Sequence, residues 1–185
     1  MRDSRWPRPP GATVWLTGLP SAGKSTVAGT LADDLARRGR RVEVLDTDQA
    51  RRFLPAGLGL SRADRGTSVR RIGRAAQVLA RNGVLVLVPV LAPYAEDRAA
   101  VARGHAVGGV CFLEVHVAAP LAVCAERDVQ GLYARHADGM LKGLVGIDAP
   151  YEPPVTADLR LETHLQSVEE SVAALRAALL ERGLL

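Results

Sequence analysis

The stretch GLPSAGKST at positions 18–26 constrains the fold of this sequence more than any other feature. It follows the apolar run TVWLT at 13–17, and it contains Gly-x-x-x-x-Gly-Lys-Ser, the pattern of a phosphate-binding loop between a strand and a helix. Backbone N–H groups of such a loop and the positive end of the helix surround phosphate oxygens. The sequence therefore predicts a P-loop NTPase-type domain that binds a nucleoside triphosphate.

The polar positions of this loop have predicted partners on the nucleotide. The Lys24 ammonium group reaches the β- and γ-phosphates, where its charge also serves catalysis, and the Ser25 hydroxyl binds Mg²⁺. We therefore expect ATP and Mg²⁺ as cofactors. The predicted nucleotide-binding residues of the loop are Gly18, Ser21, Ala22, Gly23, Lys24, Ser25 and Thr26.

Strand-like apolar runs and helical patterns alternate along the rest of the chain. Near-continuous apolar strands between helices are typical of a parallel sheet covered on both faces. After a flexible, basic, Pro-rich tail at 1–12, we predict one three-layer α/β/α domain at 13–185, with a five-stranded, mostly parallel sheet and a helical lid. The predicted strands are 13–17, 41–46, 83–90, 111–117 and 159–162, and the predicted helices include one that ends near Arg38, one that begins near Arg62 and one at about 167–182.

The composition narrows the function classes. Hydrophobic residues make up 48% of the chain and charged residues 24%, which is typical of a globular protein. No stretch reaches the ~18 apolar residues of a membrane span, so we expect a cytoplasmic protein without a membrane partner. The net charge is +4, but aromatic residues are only 4% and do not alternate with the basic ones as a base-stacking surface requires. These features favour a small anionic substrate over a nucleic acid.

Two carboxylates follow the second predicted strand. Asp46 and Asp48 come at its carboxyl end, which opens on the same crevice as the phosphate loop in a parallel sheet. Alternate residues of an extended segment point the same way, so one carboxylate can help hold Mg²⁺ while the other takes a proton from an acceptor hydroxyl. The structural alternative is that one or both merely cap a turn.

Basic residues near this crevice are candidates for binding an anion. Arg51 is close to Asp48 in sequence, and Arg65 lies in the first turn of its predicted helix. Most of the neighbouring arginines are expected on the solvated helix surface.

The polar, glycine-dotted segment at about 127–146 has the features of a lid that closes over a transferring phosphoryl group. Arg127, Arg135 and Lys142 supply its positive charge. The alternative interpretation, an ordinary helical hairpin on the surface, fits the spacing equally well.

Taken together, these motifs resemble the adenylylsulfate kinase family in order and approximate spacing. The matching segments are GLPSAGKST, LDTDQARR, LGLSRADRGTSVRRIG, LAPYAEDR, ERDVQGLY and LKGLVGIDAPYEPP. The resemblance implies transfer of the γ-phosphoryl group of ATP to the ribose 3′-hydroxyl of adenylyl sulfate, with Mg²⁺.

By position, the resemblance also assigns roles on the two sides of the site. Asp48 is then the catalytic base, Asp46 supports the metal, and Arg127 binds the nucleotide. The implied substrate-binding residues are Arg51, Leu60, Arg65, Ser68, Lys142, Leu144 and Ile147. Leu60 and Leu144 stand where the family has two phenylalanines that sandwich the adenine of the acceptor, and Ser68 stands where it has an asparagine.

Because these departures all concern the acceptor, a second hypothesis stays open. It is a kinase of the same family that phosphorylates a hydroxyl of another small anionic metabolite. A nucleotide-dependent binding module is the alternative from a different class, although the acids beside the phosphate loop argue against it. The sequence leaves a homodimer open.

Overall fold

The computed structural model describes residues 9–46 and 59–185. Most of the predicted tail therefore lies outside the described residues, as do Asp48 and Arg51. Five strands and six helices alternate along the described chain. They are β1 (Ala12–Thr17), α1 (Lys24–Arg37), β2 (Val42–Val44), α2 (Arg62–Arg81), β3 (Leu85–Val90), α3 (Ala95–Val107), β4 (Cys111–Val117), α4 (Leu121–Arg127), α5 (Leu132–Ala137), β5 (Leu159–Leu161) and α6 (Val168–Glu181).

The five strands form one sheet in the order β2-β3-β1-β4-β5, and every neighbouring pair is parallel. The predicted five-stranded α/β fold is confirmed. β1 is central, with Thr17 opposite Val90 on one side and His116 on the other. The carboxyl ends of the strands therefore meet at one edge, where crevices form in open parallel sheets.

Apolar side chains fill both faces of the sheet. Because side chains alternate along a strand, Val14 and Leu16 of β1 join the core beneath α1 and α6, while Trp15 joins the core beneath α2 and α3. Helices α2 and α3 approach closely at Gly73, where an added Cβ atom would lie 2.7 Å from the Val101 side chain. These two cores hold the strand ends, and hence the residues beyond them, in fixed positions.

Side chains cap the first turns of two helices. Ser61 caps α2 by accepting a hydrogen bond from the Asp64 N–H, and Ser167 with Glu170 forms a capping box at the start of α6. The first helix ends at Arg37, just before Gly39 at φ +76°. None of the helices in the described ranges is long and apolar enough to cross a membrane.

Three strands are shorter than predicted, since β3 begins at Leu85 instead of 83, β5 ends at Leu161 instead of 162, and β2 differs most. β2 covers only Val42–Val44 of the predicted 41–46, although the Leu45 N–H still donates to the Leu87 carbonyl of β3. As a result Asp46 lies just beyond the sheet, where its carboxylate is not confined to one face of a strand.

Candidate active site

A cavity of about 490 Å³ opens at the carboxyl edge of the sheet. The phosphate loop forms its floor. Its other sides come from Asp46, from the start of α2, from the segment after α4 and from the start of α6. Lining residues singled out by the sequence are Ser21, Gly23, Lys24, Ser25, Thr26, Asp46, Leu60, Arg65, Arg127, Lys142 and Leu144.

The phosphate loop has a backbone conformation that depends on glycine at two points. Gly23 has φ +99° at the position before α1, and an added Cβ atom at Gly18 would lie 2.4 Å from the Val117 carbonyl oxygen. The Lys24 ammonium donates to the carbonyl oxygens of Gly18 and Leu19, at 2.9 and 2.7 Å. The lysine thus lies over its own loop, where a bound phosphate would replace carbonyl oxygens as its acceptor.

A hydroxyl and a carboxylate meet beside this lysine. The Ser25 hydroxyl donates to Asp46 Oδ2 at 2.9 Å, and both side chains line the cavity. Oxygen ligands of this kind suit Mg²⁺, which commonly takes one or two protein ligands and completes its shell with phosphate oxygens and water. The described residues contain no group of three or more metal-ligating side chains, so a protein cage for a metal is not formed by them.

The nucleotide side is closed by a segment that the sequence analysis did not single out. The Arg127 guanidinium donates to the Thr163 carbonyl at 2.6 Å, and the Thr163 hydroxyl donates to the Ala22 carbonyl at 2.7 Å. Thr163 follows β5. Because residues just after parallel strands lie at the same edge of the sheet, this position could have identified Thr163 from the sequence. Further lining residues from this region are Gln166, Ser167, Val168 and Ser171.

Arg65 lies across from the phosphate loop. Its Nε donates to the Leu60 carbonyl at 2.8 Å and its Nη2 to the Gly143 carbonyl at 2.7 Å. One guanidinium group therefore bridges the segment that carries Leu60 and the segment that carries Lys142 and Leu144. Leu60 is 48% exposed at the cavity, whereas Leu144 is 5% exposed and belongs to the main core.

The model of the adenylylsulphate kinase family matches residues 10–162. This chain belongs to the adenylylsulphate kinase family. The resemblance expected from its motifs is therefore confirmed.

Similar proteins of this family match nearly the whole chain. A probable adenylyl-sulfate kinase of Synechocystis sp. is 52% identical over 162 residues, 88% of this chain and 89% of that protein. An adenylyl-sulfate kinase of Chloroflexus aurantiacus is 48% identical over 169 residues, 91% of this chain and 89% of that protein. Among solved structures, the Mycobacterium tuberculosis APS kinase in complex with AMPPNP and APS has a TM-score of 0.89 and 42% identity, covering 93% of this chain and 99% of that one.

Two residues that the family resemblance assigned to the acceptor lie elsewhere. Neither Ser68 nor Ile147 is among the described residues that line the cavity. Ser68 lies in α2, one turn beyond the position of Arg65. Ile147 is 49% exposed and borders a shallow depression beside Tyr151 instead. Their assigned roles remain predictions.

Beneath the site, a polar cluster connects the phosphate loop to the chain after Ile147. The Thr17 hydroxyl donates to the Leu91 carbonyl at 2.7 Å and lies 3.2 Å from the Tyr151 hydroxyl. Burial raises the pKa of Tyr151, so this hydroxyl stays protonated at neutral pH. The neighbouring His116 has its pKa lowered to about 4, first by burial and then by Arg160 and Arg98.

The predicted lid contains the end of α4, all of α5 and the loop that follows. Tyr133 of α5 is buried, and its hydroxyl donates to the Pro20 carbonyl in the phosphate loop at 3.1 Å. The segment therefore contacts the phosphate loop directly. Its closure stays a prediction.

Proposed function

We propose that this protein transfers the γ-phosphoryl group of ATP to the 3′-hydroxyl of adenylyl sulfate, forming 3′-phosphoadenylyl sulfate. Membership of the adenylylsulphate kinase family makes the chain a phosphotransferase with an alcohol acceptor. Both the name of the Synechocystis relative and the ligands of the Mycobacterium structure support this substrate pair.

The observation that carries the proposal is that one cavity contains both halves of the machinery. The phosphate loop lies on one side, and Arg65 and Lys142 lie on the other. A volume of about 490 Å³ lies within the range of ~300–1,000 Å³ for small-molecule sites. Two cationic side chains opposite a triphosphate site suit an acceptor that is itself strongly anionic, such as a phosphosulfate.

On the donor side, catalysis is mainly electrostatic. Lys24 would neutralise charge on the β- and γ-phosphates, and Ser25 with Asp46 would hold Mg²⁺, which would supply further positive charge for the phosphate oxygens. Arg127 lines the same cavity and adds positive charge at the nucleotide. Because the phosphoryl group is transferred directly, these groups need only position it and stabilise its charge.

On the acceptor side, Asp48 is the proposed base and Arg51 a proposed ligand of the phosphosulfate. Both roles rest on the family resemblance. Arg65 and Lys142 are the proposed cationic contacts, and Leu60 and Leu144 form an apolar slot for adenine. A leucine pair still buries the faces of a base, so adenylyl sulfate remains an acceptable acceptor without the two phenylalanines.

The test is the initial rate of ADP release with Mg²⁺ and ATP, measured with adenylyl sulfate, with AMP and without an acceptor. We expect a saturable rate with adenylyl sulfate only, and a product heavier than the acceptor by one phosphoryl group. AMP is the matched control because it presents the same base and ribose without the sulfate.

Two results would contradict the proposal. A protein that binds ATP but shows no rate above the blank has kept the donor site and exchanged the acceptor, as the second hypothesis states. Equal rates with AMP and adenylyl sulfate would show that the phosphosulfate is not what the cations recognise. A homodimer and a cytoplasmic location stay predictions, and sedimentation velocity measures the first.

A further inference from the structure

The acceptor side contains a small polar network that the predicted residues do not explain. Asp148 lies beyond the cavity, yet its carboxylate is the centre of the loop that carries Lys142 and Leu144. Asp148 Oδ2 accepts hydrogen bonds from the Gly143 and Leu144 N–H groups at 2.7 and 3.1 Å, and Oδ1 accepts one from His136 Nε2 at 2.8 Å.

The loop from Lys142 to Asp148, called the acceptor loop below, is tightly turned. Gly143 has φ +76° and Gly146 has φ +96°, conformations that residues with a side chain rarely adopt. The N–H groups of Ile147 and Asp148 both donate to the Leu144 carbonyl, at 3.2 and 2.8 Å. The carboxylate of Asp148 stabilises this turn by accepting hydrogen bonds from the Gly143 and Leu144 N–H groups.

Both the N–H and the carbonyl group of Gly143 are hydrogen-bonded to side chains. Asp148 accepts from the Gly143 N–H, and Arg65 donates to the Gly143 carbonyl at 2.7 Å. Leu144, the next residue, has its own N–H bound to the same carboxylate. These bonds fix the backbone beside Lys142 and Leu144, and hence the points from which their side chains enter the cavity.

The network is anchored outside the loop at one further point. His136 belongs to the short helix α5, so its bond to Asp148 ties the acceptor loop to the helical part of the segment predicted as the lid. This bond holds the pKa of Asp148 below its ordinary value, against a smaller effect of desolvation, and the Leu144 and Gly143 N–H groups lower it further. Asp148 is therefore an anion at neutral pH and an acceptor for all three donors.

We propose that Asp148, anchored by His136, is a positioning residue for the acceptor substrate. It fixes the Gly143 peptide against Arg65, so that Lys142 and Leu144 meet the acceptor with little loss of conformational entropy on binding. The role rests on the proposed function, because the acceptor it serves is adenylyl sulfate. It differs from the roles of Lys142 and Leu144 because Asp148 does not contact the substrate.

The hydrogen bonds of Asp148 predict an effect on KM for adenylyl sulfate but not on KM for ATP. In Asp148→Asn the amide keeps one acceptor oxygen but loses the charge that strengthens the bonds. We expect KM for adenylyl sulfate to rise about tenfold, as for the loss of charge-assisted hydrogen bonds, while KM for ATP changes less than about twofold. His136→Ala removes one of three donors, so we expect a smaller rise in the same KM.

The chain offers a matched control. Asp158 also joins a backbone N–H to a basic side chain, since it accepts from the Glu114 N–H at 2.8 Å and from Arg182 at 3.1 Å. It is not among the described residues that line the cavity. Asp158→Asn thus removes the same chemistry away from the site, and we expect both KM values to stay at their wild-type levels.

The experiment measures initial rates for the wild type and the three variants, with each substrate varied at saturating amounts of the other. Thermal unfolding shows that each variant is folded. Amide hydrogen exchange of Asp148→Asn should show faster exchange at Gly143 and Leu144, a readout independent of turnover.

Three outcomes would overturn the positioning role while the proposed function stands. They are an unchanged KM for adenylyl sulfate in Asp148→Asn, equal rises in both KM values, and a similar rise in Asp158→Asn. A wild-type protein without turnover on adenylyl sulfate would instead overturn the proposed function, and with it the substrate named for this loop.

Discussion

The two sides of the cavity are built differently. The phosphate loop is one continuous stretch whose shape comes from its own backbone and from Gly18 and Gly23. The opposite side is assembled from the start of α2 and the acceptor loop, and the Arg65 bond that joins them spans 78 positions of the chain. A continuous loop carries its function in a short motif, whereas an assembled side depends on contacts between distant residues.

The two sides therefore differ in the amino-acid substitutions that they can tolerate. The donor side depends on a few positions at which one side chain or one glycine is required. On the acceptor side Leu60 is half exposed and Leu144 is buried in the core. We expect substitutions there to change how well an acceptor fits before they abolish the reaction, as at Leu60 and Leu144, two of the positions where the sequence departs from the family pattern.

The largest effect is expected at the donor side. Lys24→Ala removes the charge proposed to face the β- and γ-phosphates, and we expect kcat to fall about 10³-fold, the upper range for loss of one transition-state donor. The acceptor KM should change little if the two sides are separate. Binding of ATP and thermal unfolding are the controls, and a loss of less than about tenfold would contradict the assignment.

Acidification tests the polar cluster beneath the site, where His116 lies beside Thr17 and Tyr151. The pKa of His116 is lowered from 6.5 to about 4 in the folded protein, so the unfolded chain binds a proton more readily. Neutral His116 therefore contributes fully to the free energy of unfolding above pH ~6.5. As the pH falls toward ~4, that free energy decreases by about 3 kcal/mol.

Chemical denaturation at a series of pH values measures this loss. His116→Gln removes the titrating group, so its free energy of unfolding should depend less on pH than that of the wild type. Parallel curves for the two proteins would contradict the assignment. A single transition by both fluorescence and circular dichroism would show that the two sides unfold together.

The next effect concerns the metal. Asp46→Asn keeps the shape beside Ser25 but removes the charge that favours Mg²⁺, and we expect kcat/KM for MgATP to fall roughly 10- to 100-fold. A higher Mg²⁺ concentration should recover part of the loss. Asp33→Asn, at an exposed position of α1 outside the cavity, is the control. Equal losses in both variants would rule out a specific role for Asp46.

The smallest effect is expected on the acceptor side, and it is a gain. Leu60→Phe places a ring at the exposed wall of the cavity, and KM for adenylyl sulfate should fall about five- to tenfold if base stacking contributes as it does in nucleic-acid binding. The double change that includes Leu144 is less informative, because a larger ring at a core position costs stability.

Leu180→Phe provides the control for this gain, since Leu180 is an exposed leucine on α6 that does not line the cavity. An unchanged KM in Leu60→Phe would contradict the interpretation of Leu60 as part of the adenine slot. A fall in KM for ATP instead would assign Leu60 to the donor side.

The donor side could be predicted from the sequence because most of its residues lie in one short stretch of the chain. The strand–loop–helix pattern fixed β1, the phosphate loop and α1, and the position of Asp46 after a parallel strand placed it near Ser25. The predicted length of β2 was too great, because the strand-like pattern at 41–46 does not show where hydrogen bonding to β3 ends. The sequence analysis also missed Thr163, whose contact with Ala22 joins positions that are remote along the chain.

On the acceptor side the sequence pattern singled out Arg65 and Lys142 as cations, whereas Leu60 and Leu144 came only from the family resemblance. No periodicity shows that the guanidinium of Arg65 will bind the carbonyls of Leu60 and Gly143, since these partners come together only when α2 and the acceptor loop pack. The same holds for Asp148, whose partners include a histidine 12 positions away on a different element. Side-chain bonds to backbone atoms carry little signal in sequence.

The hydrogen bond between Thr163 and Ala22 has a practical consequence for protein engineering. The family match ends at residue 162, one position before this threonine, and α6 beyond it contributes Leu175 and Leu179 to the core beneath α1. A protein trimmed to the matched segment would keep the whole nucleotide motif but lose the residue that supports its loop from behind. Designs that transplant this kinase into fusions should therefore retain the segment through Leu184, which is buried in the same core.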